Sequence, residues 1–310
     1  MNRVSAKAHV RVPATSANLG AGFDCIGVAV DRWLAASVET GDDAGRDREA
    51  ITITRNGTLA ALPVDAKDDG LYVGFAAACA AAGCPLPNEL SFQAGSEIPI
   101  ARGLGSSSAA LVAGARLANE ALELGLGTST VAELCTRIEG HPDNVAPALF
   151  GGAILGVPQG DGASWLFAPL PVHPNVAFVF VIPPYPVNTE EARRILPSEV
   201  THEIAVRAAG KAAALAHGLA TGDAALLRAA LDDVLHVPYR RDLVPGLADL
   251  NDAACSAGAY GVTLSGSGST VVAMSSQDSA EGVAVAIRER WNSAGVTADS
   301  FVQRRPAKVD

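Results

Sequence analysis

The chain has 310 residues, 49% hydrophobic and 18% charged, which excludes a disordered or fibrous chain and suits two packed halves of roughly 150 residues each. Its formal net charge of −10 argues against nucleic acid or an anionic membrane as partner, so an anionic ligand must be met by a local site. Five cysteines, odd in number and never in a Cys-x-x-Cys spacing, argue against a disulfide framework or a zinc site and suit a reducing cytoplasm.

Met1 to Arg11 carries charges but no apolar h-region, so no signal peptide is expected. Ala8 to Val12 alternates as a strand and meets Pro13. Thr15 to Gly22 reads as a turn segment, followed by one strand at Ile26–Val30 and another at Ala35–Glu39. Residues 40–50 are polar and charged, which predicts a hairpin loop before a short strand at Ile51–Thr54. Leu71 to Gly83 is alanine-rich and apolar, a buried helix stopped by Gly83 and Pro85. Leu90–Ala94 and Glu97–Ile100 frame a predicted hairpin around Gly95. Helices are predicted at Ala110–Leu124 and at Val131–Glu139, the latter capped by Thr128, Ser129 or Thr130. Phe150 to Leu155 turns back into sheet, and the second half begins near Leu166.

In that half Val176–Ile182 is a buried strand ended by Pro183-Pro184, too short to span a membrane. Thr189–Arg194, Ile204–Thr221 and Ala224–Leu235 read as helices. Strands at Val262–Leu264 and Thr270–Ala273 flank Ser265-Gly266-Ser267-Gly268-Ser269, and a helix at Ala280–Ala294 precedes a last strand near residue 300. Hairpins mixed with helix pairs define an α+β chain rather than a doubly wound sheet.

Three segments carry chemistry. Pro99-Ile100-Ala101-Arg102-Gly103-Leu104-Gly105-Ser106-Ser107-Ser108-Ala109 opens directly into a helix. A helix N-terminus offers unpaired N–H groups and partial positive charge, and Gly103 and Gly105 let the backbone curl round an anion such as a triphosphate. There is no Gly-Lys-Ser/Thr and no clean G-x-G-x-x-G, so neither standard nucleotide loop fits. An ordinary capped helix after a tight turn would look similar. Pro13 to Asp24 is small and polar and ends in a carboxylate, so Asp24 could hold an ammonium group and Asn18 a hydroxyl or carboxylate, although both also suit turns. Glu139-Gly140-His141-Pro142-Asp143-Asn144 packs two acids, an imidazole and an amide into six residues, a set suited to Mg²⁺ and substrate rather than to zinc.

Pro-x-x-Arg-Gly-Leu-Gly-Ser-Ser-Ser-Ala resembles the phosphate loop of the GHMP kinases, named for galactokinase, homoserine kinase, mevalonate kinase and phosphomevalonate kinase. Pro13 to Asp24 is closest to the homoserine branch of that family, and Glu139 to Pro147 and Leu264 to Thr270 strengthen the likeness, which runs from about residue 8 to 305. The resemblance implies a two-layer GHMP-kinase fold. An N-terminal nucleotide-binding half, residues 1–165, would contain a left-handed βαβ unit, an exception to the usual crossover. A ferredoxin-like half would fill residues 166–310. It implies ATP on Pro99 to Ala109, Mg²⁺ on Ser106 and Glu139, and L-homoserine as substrate on Asn18, Asp24, His141, Thr189, Arg193, Arg240 and Gly266.

Asn144 and His141 would orient the reacting groups; the need for a base is left open, with Asp143 the nearest acid for that part. The product would be O-phospho-L-homoserine, on the route to threonine. A cytoplasmic homodimer is implied too. Each arginine belongs to a doublet, Arg193/Arg194 and Arg240/Arg241, and the choice within each is open. The family often has Pro where this chain has Ser269. Relatives acting on shikimate or mevalonate, and a non-catalytic nucleotide-binding regulator, are the competing readings. An amine-binding Asp24 and two carboxylate-binding arginines favour an amino acid.

Overall fold

The computed structural model describes residues 6–41, 50–160, 162 and 164–309. β1 (Lys7–Asn18) pairs antiparallel with β2 (Gly22–Gly41) along its whole length. The strand does not stop at Pro13. The register slips between Pro13 and Ala14, where Asp31 and Arg32 of β2 bulge out and proline's missing donor is tolerated. The two strands predicted at 26–30 and 35–39 are therefore segments of one. The turn itself is short: Asn18, Leu19 and Gly20 take left-handed φ values of 72°, 48° and 83°.

β3 (Ala50–Gly57), α1 (Gly70–Ala81) and β4 (Glu89–Ser96) form a crossover unit, since β3 and β4 are parallel neighbours. β4 lies between β2 and β3, so those two strands are not a hairpin. The predicted loop at 40–50 falls mostly outside the described residues. Gly95 lies inside β4 rather than at a turn, and residues 97–100 form no strand. α2 (Ser106–Ala121) and α3 (Thr128–Glu139) follow. Gly127, not a hydroxyl residue, caps α3, with no side-chain bond. α4 (Pro142–Phe150) was not predicted; Pro142 takes a first-turn position, where no N–H is needed. β5 (Ala153–Gln159) and β6 (Ser164–Leu170) complete a six-stranded sheet ordered β3-β4-β2-β5-β6, with β1 also paired to β2. β6 spans the 165/166 division and pairs with β5.

The second sheet is antiparallel, ordered β10-β7-β9-β8 from β7 (Val176–Ile182), β8 (Ala259–Leu264), β9 (Val271–Ser276) and β10 (Asp299–Gln303). Between β7 and β8 run α5 (Thr189–Arg194), α6 (His202–Thr221), α7 (Ala224–Leu231), α8 (Val237–Arg240), a short 3-10 turn at Arg241–Leu243, and α9 (Leu247–Ser256). α10 (Ala280–Ser293) connects β9 to β10.

The unbroken apolar run of β7 has a plain cause. Val176, Phe178 and Phe180 enter the first core with Leu215, Leu219 and Met274. Ala177, Val179 and Val181 enter the second with Leu264, Ile287 and Trp291. A strand buried on both faces needs no polar alternation. Among the described residues no helix is long and apolar enough to cross a membrane.

Candidate active site

Every residue given a site role from sequence, except Ala109 and the second arginine of each doublet, lines one cavity of about 360 Å³. Ala109 is buried in α2. One wall is the loop before that helix. Gly105 is its N-cap, left-handed at φ 67°, and no side chain caps the helix, so its first N–H groups are left for a ligand. A Cβ on Gly105 would lie 1.9 Å from Thr15 Oγ1, and one on Gly103 2.0 Å from the Ser265 carbonyl. Nothing larger than glycine fits at either place.

Arg102 does not point at a ligand. Its guanidinium donates to the carbonyls of Ile100, Pro183 and Pro184. Its own carbonyl accepts from Thr270 N–H, and that of Ala101 accepts from Val187 N–H. The loop is thus clamped to the second half of the chain.

Beside it stand the acids. Glu139 ends α3, and its Oε1 accepts from Ser108 Oγ at 2.7 Å. Ser108, not Ser106, makes that bond, while Ser106 lines the same cavity. Gly140 turns the chain at φ 91° and delivers His141 to the N-cap of α4. His141 Nδ1 lies 2.5 Å from Oδ1 of Asp143, a carboxylate only 2% exposed. A carboxylate accepts, so Nδ1 carries the proton and Nε2 is the ring atom left for the cavity. Burial alone would lower the His141 pKa; the hydrogen bond and charge of Asp143 outweigh it, and the net shift is upward. Asn144 Oδ1 accepts from the buried Thr15 hydroxyl at 2.8 Å.

The residues proposed for the substrate lie opposite. Asp24, at φ 55°, receives a bidentate pair from Arg193 Nη1 and Nη2 at 3.1 and 2.9 Å. Two groups assigned from sequence to opposite ends of a ligand are thus paired with each other. Asn18 is bonded at both ends of its amide: its Nδ2 donates to the Gly266 carbonyl, and its Oδ1 accepts from Asp24 N–H, both at 3.0 Å. It holds the Asp24 turn and joins the two halves. Thr189 Oγ1 is 3.3 Å from Ser267 Oγ. Arg240 is 2% exposed, its Nε donating to the Ala192 carbonyl. Of the two doublets, Arg193 and Arg240 line the cavity, while Arg241 is 69% exposed. Ser269, at the position of the family's proline, is buried and donates its hydroxyl to the Tyr185 carbonyl at 2.5 Å.

Among the described residues, Asp24, His141 and Asp143 bring ligand atoms within 4.8 Å of one another. Arg193 already neutralises Asp24, and His141 engages Asp143, so this group suits a cation less well than Glu139 does. The far end of the cavity was not anticipated. Leu59, Leu62, Val64 and Leu71 give it an apolar lining, and Arg55 pairs with Asp69 across it at 2.7 Å. Such an apolar slot beside an uncapped helix N-terminus has the form of a nucleobase pocket.

Family models described as GHMP kinases N terminal domain and GHMP kinases C terminal match residues 71–152 and 213–293. This defines a class of kinases. Within it, the chain is 38% identical to the homoserine kinase of a Picosynechococcus species over 95% of both chains. It is 41% identical to that of Gloeobacter violaceus, over 92% of this chain and 93% of the relative. The crystal structure of homoserine kinase from Cytophaga hutchinsonii superposes with a TM-score of 0.85 at 28% identity, covering 99% of this chain and 98% of that one. The chain belongs to the homoserine kinase branch of the GHMP kinase family.

Proposed function

We propose that the chain transfers the terminal phosphoryl group of ATP to the side-chain hydroxyl of L-homoserine, giving O-phospho-L-homoserine and ADP. The observation that carries this is the convergence of Asp24, Arg193 and Arg240 on the cavity whose other wall is the uncapped N-terminus of α2. When bound, ATP supplies the phosphoryl group and Mg²⁺ neutralises the charge that develops on it. Ser106 and Glu139 would hold the metal, with the Ser108 hydroxyl fixing the rotamer of Glu139. The glycine-serine loop and first turn of α2 receive the phosphates. The apolar slot between β3 and α1 takes the base.

The amino acid is held by exchange. Its ammonium group replaces Arg193 on Asp24, and its carboxylate takes the freed guanidinium together with Arg240. The Asp24–Arg193 pair is 32% and 40% exposed, so opening it costs little. His141 Nε2 and Asn144 orient the hydroxyl. Asp143 is already engaged by His141, so its part is to hold that ring rather than to act as a base.

ADP release by the purified protein, compared across homoserine, shikimate and mevalonate, tests the reading. Turnover with homoserine is expected; turnover with mevalonate and not homoserine would overturn it. Asp24→Asn should raise KM for homoserine roughly tenfold, because only part of a charge-assisted bond is returned by an amide. ATP affinity should hold, and the effect should vanish on 4-hydroxybutyrate, which has no amine. An equal loss on both substrates would make Asp24 a turn residue only. The same reading carries a cytoplasmic homodimer, for which sedimentation at a mass near 31.5 kDa would count against the dimer.

A further inference from the structure

His236 is 0% exposed and immediately precedes α8, the helix that ends in Arg240. A buried imidazole carries polar atoms that must be paired, and here both are. Nε2 lies 3.1 Å from the Gly20 carbonyl. A carbonyl only accepts, so Nε2 bears the proton. Nδ1 lies 3.4 Å from Arg240 Nη1. A guanidinium only donates, so Nδ1 is a bare acceptor. The two contacts specify one neutral tautomer. Burial, with the Arg240 charge assisting against Asp233, pushes the His236 pKa down in keeping with it.

The ring also has a stacking partner. It lies on Phe23 with centroids 5.1 Å apart and planes at 17°, and the Arg240 guanidinium sits 5.4 Å from the same ring. The position of His236 is itself fixed. Buried Asp233 accepts the backbone N–H groups of Leu235, His236 and Val237 at 3.1, 2.7 and 2.8 Å.

Gly20 lies in the turn before Asp24, and Phe23 precedes Asp24 at the start of β2. Arg240 donates from Nε to the carbonyl of Ala192, next to Arg193. One imidazole therefore touches both the turn carrying the acid and the arginine facing it, while standing outside the cavity lining. We infer that His236 is a positioning residue for the substrate. It fixes the Arg240 guanidinium against the Asp24 turn, and so sets the spacing between the groups that grip the carboxylate and the ammonium. This rests on the homoserine reading above.

Two amide replacements separate its two bonds. In His236→Asn the side-chain oxygen can stand where Nδ1 stood and accept from Arg240. In His236→Gln the longer amide can donate to Gly20 but leaves Arg240 without its acceptor. His236→Gln should raise KM for homoserine roughly tenfold with little change in KM for ATP. His236→Asn should recover most of that loss. With 2-aminobutane-1,4-diol, which has the amine and no carboxylate, the two variants should match. Equal KM values for homoserine in wild type and His236→Gln would overturn the inference, as would a loss common to homoserine, the diol and ATP.

Should either variant fail to fold, the wild-type protein decides. Its ¹⁵N imidazole shifts should show a neutral, Nε2-protonated His236. Saturation with homoserine, but not with an ATP analogue, should move the Nδ1 resonance. A protonated Nδ1, or no response to homoserine, refutes the role. Absence of ADP release by wild type on homoserine would instead refute the functional reading.

Discussion

Two loops of this chain, Gly103 to Ser108 and Ser265 to Ser269, are rich in the same two residue types, yet they do opposite things. The first, before α2, leaves the N-terminal N–H groups of that helix open. Gly105 caps α2 without a side-chain bond, Ser107 is exposed, and the cavity reaches from Pro99 to Ser108. Ser265 to Ser269 closes its own. Ser265 Oγ donates to the Gly103 carbonyl at 2.6 Å and lies 2.8 Å from Ser16 Oγ. Ser267 Oγ meets Thr189, and Ser269 Oγ meets Tyr185. Glycine and serine permit a cradle and a brace equally well. What separates them is the element behind. A sixteen-residue helix projects its field through the first loop, whereas the second joins two antiparallel strands with no net dipole to offer.

The difference can be broken most severely at Gly105. Gly105→Val places a branched side chain at a left-handed φ and against Thr15, a strain of about 1–3 kcal/mol. One or two charge-assisted phosphate bonds should be lost, lowering affinity for an ATP analogue roughly 10- to 100-fold by calorimetry. Undiminished binding by folded protein would place the nucleotide elsewhere. Glu139→Gln should come next. It keeps an acceptor for Ser108 but removes the charge, so kcat should fall at least about tenfold and the Mg²⁺ requirement rise. Full turnover at saturating Mg²⁺ would remove Glu139 from the metal.

Between the loops, Asp143→Asn tests the His141 pair. Asp143 raises the folded pKa of His141, so the pair stabilises the fold below the unfolded histidine pKa, and that contribution is lost as pH rises through the raised folded value. The variant should move the His141 titration, followed by NMR, to lower pH. An unmoved or higher titration would show that the carboxylate is not what governs the ring. The smallest effect is expected in the closed loop. Ser269→Ala should cost about 1 kcal/mol of stability in denaturant unfolding and leave nucleotide affinity unchanged. A large loss of ATP binding there would erase the distinction between the two loops.

The same contrast explains what could be read in advance. β7 and the helices α2, α6 and α10 follow from apolar runs and good helix formers, which local sequence carries. The long strand β2 was hidden because Asp31-Arg32 looks like an end and is a bulge. α4 was hidden by Pro142 and Pro147, which count against a helix unless one knows that the first lies in its opening turn. The glycine-serine and Glu139–Asn144 segments were legible because each gathers its chemistry within a few residues. The apolar slot was not: Arg55, Leu59, Val64 and Leu71 carry no motif until β3 and α1 are packed. His236 was invisible for the same reason, since its partner Gly20 lies 216 positions away. Composition also could not say which of Arg193 and Arg194 lines the cavity; that depends on the helix phase of α5.

The seam between the loops bears on how such a chain can change over time. Gly103 is pressed to the Ser265 carbonyl, and Arg102 is anchored on Pro183 and Pro184. The glycine-serine loop before α2 is therefore not a cassette that belongs to the first half alone. Part of its mould is poured by the second. Halves exchanged between relatives would have to match across these few backbone contacts before any side chain in the cavity mattered. Chimaeras should fail first at this seam, and a lineage that alters one loop must carry the other with it.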